Sequence, residues 1–146
     1  MKLKPINLFK IEKYQFKLLV SQAFAKEHVE KWITAWNNHD LKTLLSMYSE
    51  DIQFSSPKIR AVLPGRNSSK LNNKKELEEY WSLALKEKYS NLRFESKDLI
   101  VHNNIIILEY YASLNTVDRT LVIEKFEFEN NKIIKSSVFY GADELP

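Results

Sequence analysis

The stretch LVIEKFEFEN places an acid among apolar neighbours. Side chains alternate along a strand, so Val122, Glu124, Phe126 and Phe128 share one face. Arg119, Leu121, Ile123, Lys125 and Glu127 share the other. If the first row faces a cavity, lost hydration raises the Glu124 pKa and equips it as general acid, general base or hydrogen-bond donor. If the second row faces inward, Glu124 meets solvent or a partner subunit. The charges of that second row favour the cavity for Glu124. Glu109 poses the same question in the row Ile105, Ile107, Glu109, Tyr111. The alternate row, Ile106, Leu108, Tyr110 and Ala112, is uncharged and reads as the inner face. Glu109 then turns partly toward a dimer partner, with the converse arrangement left open.

Aromatic residues are the other candidates for a cavity wall. Tyr48, Phe54, Trp81, Tyr110 and Tyr140 stand at helical or strand spacing. Ordinary core packing is the alternative fate of each. The histidines, His28, His39 and His102, are scattered without metal-ligand spacing, so no metal site is expected. His28 reads as a helix-surface residue one turn before Trp32, and the other two as solvated turn residues. Asp40 reads as a helix cap. Glu50–Asp51 leads into a strand and does not form a glycosidase pair. Gly65 and Gly141 are the only glycines, which excludes a P-loop, a dinucleotide fingerprint and a nucleophile elbow.

Elements that position these residues follow from periodicity. Phe24, Ala25, Val29, Trp32, Ile33 and Trp36 form one helical face, broken by Asn37–Asn38–His39. Asp40 then caps a short helix carrying Leu41, Leu44, Leu45 and Tyr48. DIQFSS alternates as a strand. Residues 57–72 contain two of the four prolines and read as one long loop. Asn73 with Glu76 opens a third helix, whose buried face is Leu77, Tyr80, Trp81, Ala84 and Leu85. Four β-rich stretches follow, separated by the polar turns Asn103–Asn104, Asn115–Thr116–Val117 and Asn130–Asn131. The expected class is α+β: three N-terminal helices laid on one face of a curved, mainly antiparallel sheet.

With 146 residues and 44% hydrophobic content the chain suits one domain with a sizeable core. The absence of cysteine removes disulfides and thiolate chemistry and agrees with a cytoplasmic location. The net charge of +3 is concentrated at the start, where residues 1–20 hold five lysines and one glutamate. No basic face remains in the body of the chain, so nucleic acid is not an expected partner. The start lacks a clean apolar segment for a signal peptide, and no run is long enough to span a membrane. Residues 1–22 are expected to form a basic arm and residues 23–146 the domain.

The order of elements resembles the cone-shaped fold shared by nuclear transport factor two, ketosteroid isomerase and the SnoaL-like polyketide cyclases. AWNNHDLKTLLSMYSEDIQF resembles that family's opening, and LVIEKFEFENNKIIKSSVFYG its closing hairpin. The similarity runs from about Ala25 to Gly141. It implies a ligand-binding cone interior, walled here by Trp32, Trp36, Tyr48, Phe54, Ser56, Trp81, Tyr110, Phe126 and Tyr140, with Glu124 as the catalytic group. It implies a small apolar organic ligand, no metal or organic cofactor, and a homodimer formed through the sheet. Aligned on Asp40, ketosteroid isomerase's tyrosine falls on Trp32, its base on Ser56 before Pro57, and its oxyanion acid on Glu124. Only the last is kept in type, so the steroid reaction itself is not expected. The fold hosts isomerases, cyclases, hydrolases, dehydratases and non-enzymatic binders; the readings the resemblance implies here are an isomerase or cyclase, a non-catalytic binder of a lipophilic ligand, or a protein-interaction module.

Overall fold

The computed structural model describes residues 19–114 and 118–144. The basic arm expected over residues 1–22 lies outside the described residues as far as residue 18, and so does the turn expected at 115–117.

Ser21 caps α1 (Gln22–Asn37) by accepting the Phe24 N–H at 3.0 Å. Ala25, Val29, Trp32 and Trp36 are buried along one face, with His28 and Ala35 beside them. The helix ends at Asn37, because His39 takes a left-handed φ of 54° and reverses the chain. Asn37 does more than end the helix. Its Nδ2 donates to the Phe94 carbonyl at 2.9 Å, and the Phe94 N–H donates to its Oδ1 at 2.7 Å. This two-bond clamp ties the helix end to β3 (Arg93–His102), an edge strand whose backbone groups would otherwise lack partners there.

Asp40 caps α2 (Leu41–Ser46), accepting the Thr43 N–H at 3.1 Å and its hydroxyl at 2.6 Å. β1 (Tyr48–Ser55) follows. The long loop expected over 57–72 is instead divided. Ile59, Val62 and Leu63 bury their side chains, which folds a single turn, α3 (Ile59–Val62), and Leu71 anchors the two-residue β2 (Lys70–Leu71). The helices therefore number four among the described residues, where three were expected. Asn73 caps α4 (Lys74–Lys86) through the Glu76 N–H at 2.8 Å, and the helix buries Leu77, Tyr80, Trp81, Ala84 and Leu85 as the spacing implied.

β3, β4 (Ile105–Ser113), β5 (Arg119–Glu129) and β6 (Lys132–Glu144) form the antiparallel meander. β1 adds to it parallel to β6, and β2 hooks antiparallel onto β1. Register shifts interrupt β1–β6, β3–β4 and β5–β6; such bulges bend and twist a sheet. The helices cover the concave side, α1 against β3 and α4 against β1. This is the α+β class expected from the order of elements. The inner row of β4 is Ile106, Leu108 and Tyr110, and the inner row of β5 is Val122, Glu124, Phe126 and Phe128, all buried. Glu109 lies on the other face, paired with Lys97 at 2.9 Å. That outer face also exposes Ile123 and Phe139, which are cross-strand partners. Among the described residues no helix is long and apolar enough to cross a membrane.

His28 corrects the sequence reading. It is 7% exposed, not a surface residue. It stacks on Phe24 and meets the edges of Phe126 and Phe128, because the sheet supplies an aromatic row over that turn of α1. Among the described residues its Nε2 has no hydrogen-bond partner. Burial, assisted by the Lys31 charge, pulls its pKa down to about 4. The folded state thus binds this proton less readily than the unfolded chain, so stability falls as pH drops from about 6.5 toward 4. At pH 5 the loss is about 2 kcal/mol relative to pH 8. His28→Phe keeps the aromatic contact and cannot titrate. Its stability gain over the wild type, measured by urea unfolding, is expected to be larger at pH 5 than at pH 8 by about that amount. An equal difference at both pH values would refute the lowered pKa.

Candidate functional site

Between the inner sheet face and the helices lies a cavity of about 70 Å³. The sheet contributes Tyr110, Ala112, Val122, Glu124, Val138 and Tyr140 to its lining. Helix α4 contributes Tyr80, Trp81, Ala84 and Leu85, and α1 contributes Trp36. Phe54, Ser56 and Lys58 enter from the end of β1 and the chain after it, and Tyr89, Leu92 and Phe94 complete the wall.

Most of the residues expected at a site therefore meet at one cavity: Trp36, Phe54, Ser56, Trp81, Tyr110, Glu124 and Tyr140. Trp32, Tyr48 and Phe126 do not line it. Trp32 sits a layer deeper, its ring centroid 5.4–5.9 Å from those of Trp36, Phe94, Tyr110 and Phe126. Its indole N–H donates to the Tyr48 hydroxyl at 2.9 Å, so both polar groups are consumed inside the core. Phe126 is fully buried between Trp32 and His28. Periodicity assigns a side chain to a face but not to a depth, and these three are packing.

Glu124 is 3% exposed and is positioned by strand register. It stands opposite Leu108 on β4 and Val138 on β6. Tyr110 pairs with Val122 and Ser136 with Phe126, so both reach Glu124 on the diagonal. The Tyr110 hydroxyl donates to Oε1 and the Ser136 hydroxyl to Oε2, each at 3.0 Å. Burial raises the Glu124 pKa to about 7, and the two hydroxyl bonds offset only part of that rise. Tyr110 itself is driven well above the ordinary phenol value by burial and then by the Glu124 charge.

A second polar group lies along the cavity. The Ser56 hydroxyl interacts with both Tyr80 and Tyr140, partly countering the effect of burial, which still raises Tyr80 to about 12 and Tyr140 higher. Lys58 holds its ammonium 4.5 Å from the Tyr140 ring centroid and 5.1 Å from that of Tyr89. The Trp36 indole N–H is buried without a partner among the described residues. Among the described residues no other carboxylate and no histidine lines the cavity. Among the described residues no three His, Cys, Asp or Glu side chains converge as a metal site would require. The arrangement can transfer one proton at a desolvated carboxyl and can donate hydrogen bonds from hydroxyl and indole groups.

Lys58, Tyr80, Tyr89 and Ser136 were not singled out from the sequence as site residues. Ser136 had a legible signal, since it shares an alternating row with Val138 and Tyr140. Tyr80 was legible only as part of a buried helix face. Lys58 had none, because it lies in a segment without periodicity.

The folded state holds the Glu124 proton more tightly than the unfolded chain, whose carboxyl titrates near 4.5. Ionisation at Glu124 therefore costs stability as pH rises, by about 2–3 kcal/mol between pH 5 and pH 8. Glu124→Gln cannot ionise, so its stability relative to the wild type should rise by that amount over this range. A denaturant-unfolding difference that stays flat with pH would contradict the raised pKa.

Comparison with known proteins places the fold. A sequence profile of the SnoaL-like domain matches residues 29–136. The crystal structure of a SnoaL-like protein of unknown function from Burkholderia thailandensis is 30% identical with a TM-score of 0.75, the match covering 85% of this chain and 99% of that one. A candidate ketosteroid isomerase from Kribbella flavida is 11% identical with a TM-score of 0.64, over 84% of this chain and 81% of that one. IdmH, a candidate polyketide cyclase from Streptomyces antibioticus, is 11% identical with a TM-score of 0.65, over 80% and 91%. At such identity these last two speak to fold alone. Among proteins of curated function, none matches. The profile spans most of the chain and the Burkholderia structure matches over nearly its whole length, so the chain belongs to the SnoaL-like family.

Proposed function

We propose that the cavity binds a small, largely apolar carbonyl compound and that Glu124 moves a proton beside the carbonyl, as in an isomerisation or an aldol-type cyclisation, without a cofactor. The observation that carries this reading is the buried Glu124 carboxyl with its pKa near 7. At neutral pH both of its forms are populated, which is what a general base that must return its proton requires. The carboxylate removes a proton from the carbon next to the carbonyl, and the electron pair moves to oxygen. Trp36 N–H, which lacks a partner, and the Tyr80 and Tyr140 hydroxyls are the donors available to that oxygen. Returning the proton to another carbon completes an isomerisation; attack of the enolate on a second carbonyl, whose oxygen then takes the proton back from Glu124, completes an aldol-type cyclisation. The cavity volume of about 70 Å³ suits a compound of few carbons. It falls far below the roughly 300–1,000 Å³ of sites for drug-sized ligands.

A second reading is a non-catalytic binder. It is favoured by the hydroxyl bond that each Glu124 oxygen already accepts and by serine, not acid, at position 56. In either case the exposed Ile123 and Phe139 of the outer sheet face support assembly as a homodimer. The absence of cysteine supports a cytoplasmic setting.

Exchange of α-protons for deuterium, followed by NMR on butanone and cyclopentanone, separates the two. An enzyme accelerates exchange, with a rate that rises with pH through a midpoint near 7 as the base ionises. Glu124→Gln lowers it by about 10²-fold or more. Tyr110→Phe removes a donor that favours the carboxylate, so its midpoint moves to higher pH. Quenching of tryptophan emission by the ketones without any exchange would establish the binder instead.

A further inference from the structure

Lys58 is the feature of the cavity that proton transfer at Glu124 leaves unused. It is a half-buried cation on a lining otherwise made of apolar and hydroxyl-bearing groups, apart from Glu124. Its ammonium has no carboxylate within ion-pair distance among the described residues. The side chain is nevertheless held in place, its charge lying over the faces of Tyr140 and Tyr89. Its backbone is fixed as well, since the Lys58 N–H donates to the Ser56 hydroxyl at 3.3 Å. Glu124 is 3% exposed, whereas Lys58 and Tyr140 are half-buried, so the acid marks the floor and the cation the rim. An ammonium has three donors and no acceptor, and cation–π contact uses none of them as a directed hydrogen bond.

We propose that Lys58 anchors a carboxylate of the ligand, so that the ligand is a small oxo acid with its acid group at the rim and its carbonyl-bearing end against Glu124. The inference rests on the reading of the cavity as a ligand site. A carboxylate oriented the other way would stand beside Glu124, whose charge would repel it. A bare apolar ketone would leave the ammonium donors unmet. The Ser56 hydroxyl lies next to the anchor, where it accepts the Lys58 N–H, and can add a hydrogen bond to a carboxylate oxygen.

Trp36 and Trp81 line the cavity, so their emission reports occupancy directly. The test is a titration of the full chain with oxo-carboxylates of four and five carbons, each beside its methyl ester. The wild type should bind at least one acid about tenfold more tightly than its ester, with the preference shrinking as salt is raised. Lys58→Gln should erase the preference and Lys58→Arg should retain most of it, both melting as the wild type does. Equal or tighter binding of the esters, or a preference that survives Lys58→Gln, overturns the anchor while leaving the cavity a ligand site. Failure of every acid and every ester to bind the wild type overturns both.

Discussion

Everything at the cavity depends on strand register. A slip of one residue between β5 and its neighbours would send Glu124 to solvent and bring Lys125 into the core. Two features oppose it. The inner rows bury Ile106, Leu108 and Tyr110 on β4, Val122, Phe126 and Phe128 on β5, and Ile133 and Val138 on β6. The outer row of β5 carries Lys125 and Glu127, which pair with each other at 3.5 Å. Inverting either set would strip apolar area from the core and bury charge. The turns act in the same sense: Asn130 and Asn131 both take positive φ, 51° and 63°, the pattern of a tight hairpin turn whose twist matches its strands. The carboxyl is thus presented by the whole meander, and its two hydroxyl partners reach it because each stands one diagonal away on a different neighbouring strand.

The helices make the cavity small. Trp32 is the centre of an aromatic cluster that joins α1 to β3, β4 and β5 through Phe94, Tyr110 and Phe126. Trp81 on α4 then packs edge-on to Trp36 and Tyr48. Rings of this size fill most of the space under the sheet, and what remains lies between Glu124 and the Lys58 rim. The Asn37 clamp on Phe94 holds the closing helix at this distance, 57 residues away in sequence. A ligand much larger than the cavity would have to displace the aromatics that close it, at the cost of packing that stabilises the fold.

Local patterns were readable and long-range ones were not. Alternation put Glu124 inward and Glu109 outward because only one row of each strand was free of surplus charge. Asp40 and Asn73 announced their helices because capping uses residues three apart. Depth was not readable: Trp32, Tyr48 and Phe126 have the same spacing as true wall residues and differ only in what covers them. Nor was His28, since its burial depends on Phe126 and Phe128, about a hundred positions downstream. Asn37 looked like a helix breaker, which it is, while its clamp on Phe94 needed the fold to be seen. Lys58 belongs to the same class, being placed by the rings of Tyr89 and Tyr140.

The molecule buries two titratable groups whose effects on stability oppose each other. Glu124 binds its proton more tightly in the folded state, so folding loses stability as pH rises toward neutrality. His28 binds its proton less tightly, so folding gains stability over much of the same interval. Between pH 5 and pH 8 the His28 effect amounts to about 2 kcal/mol and the Glu124 effect to about 2–3 kcal/mol, so they largely offset each other. The fold can therefore keep a desolvated acid without an obvious pH-dependence of global stability. A flat profile in the wild type would be the sum of two sloping ones, and says nothing against a perturbed Glu124. Burying a carboxyl where an apolar side chain would pack is a net cost above its pKa.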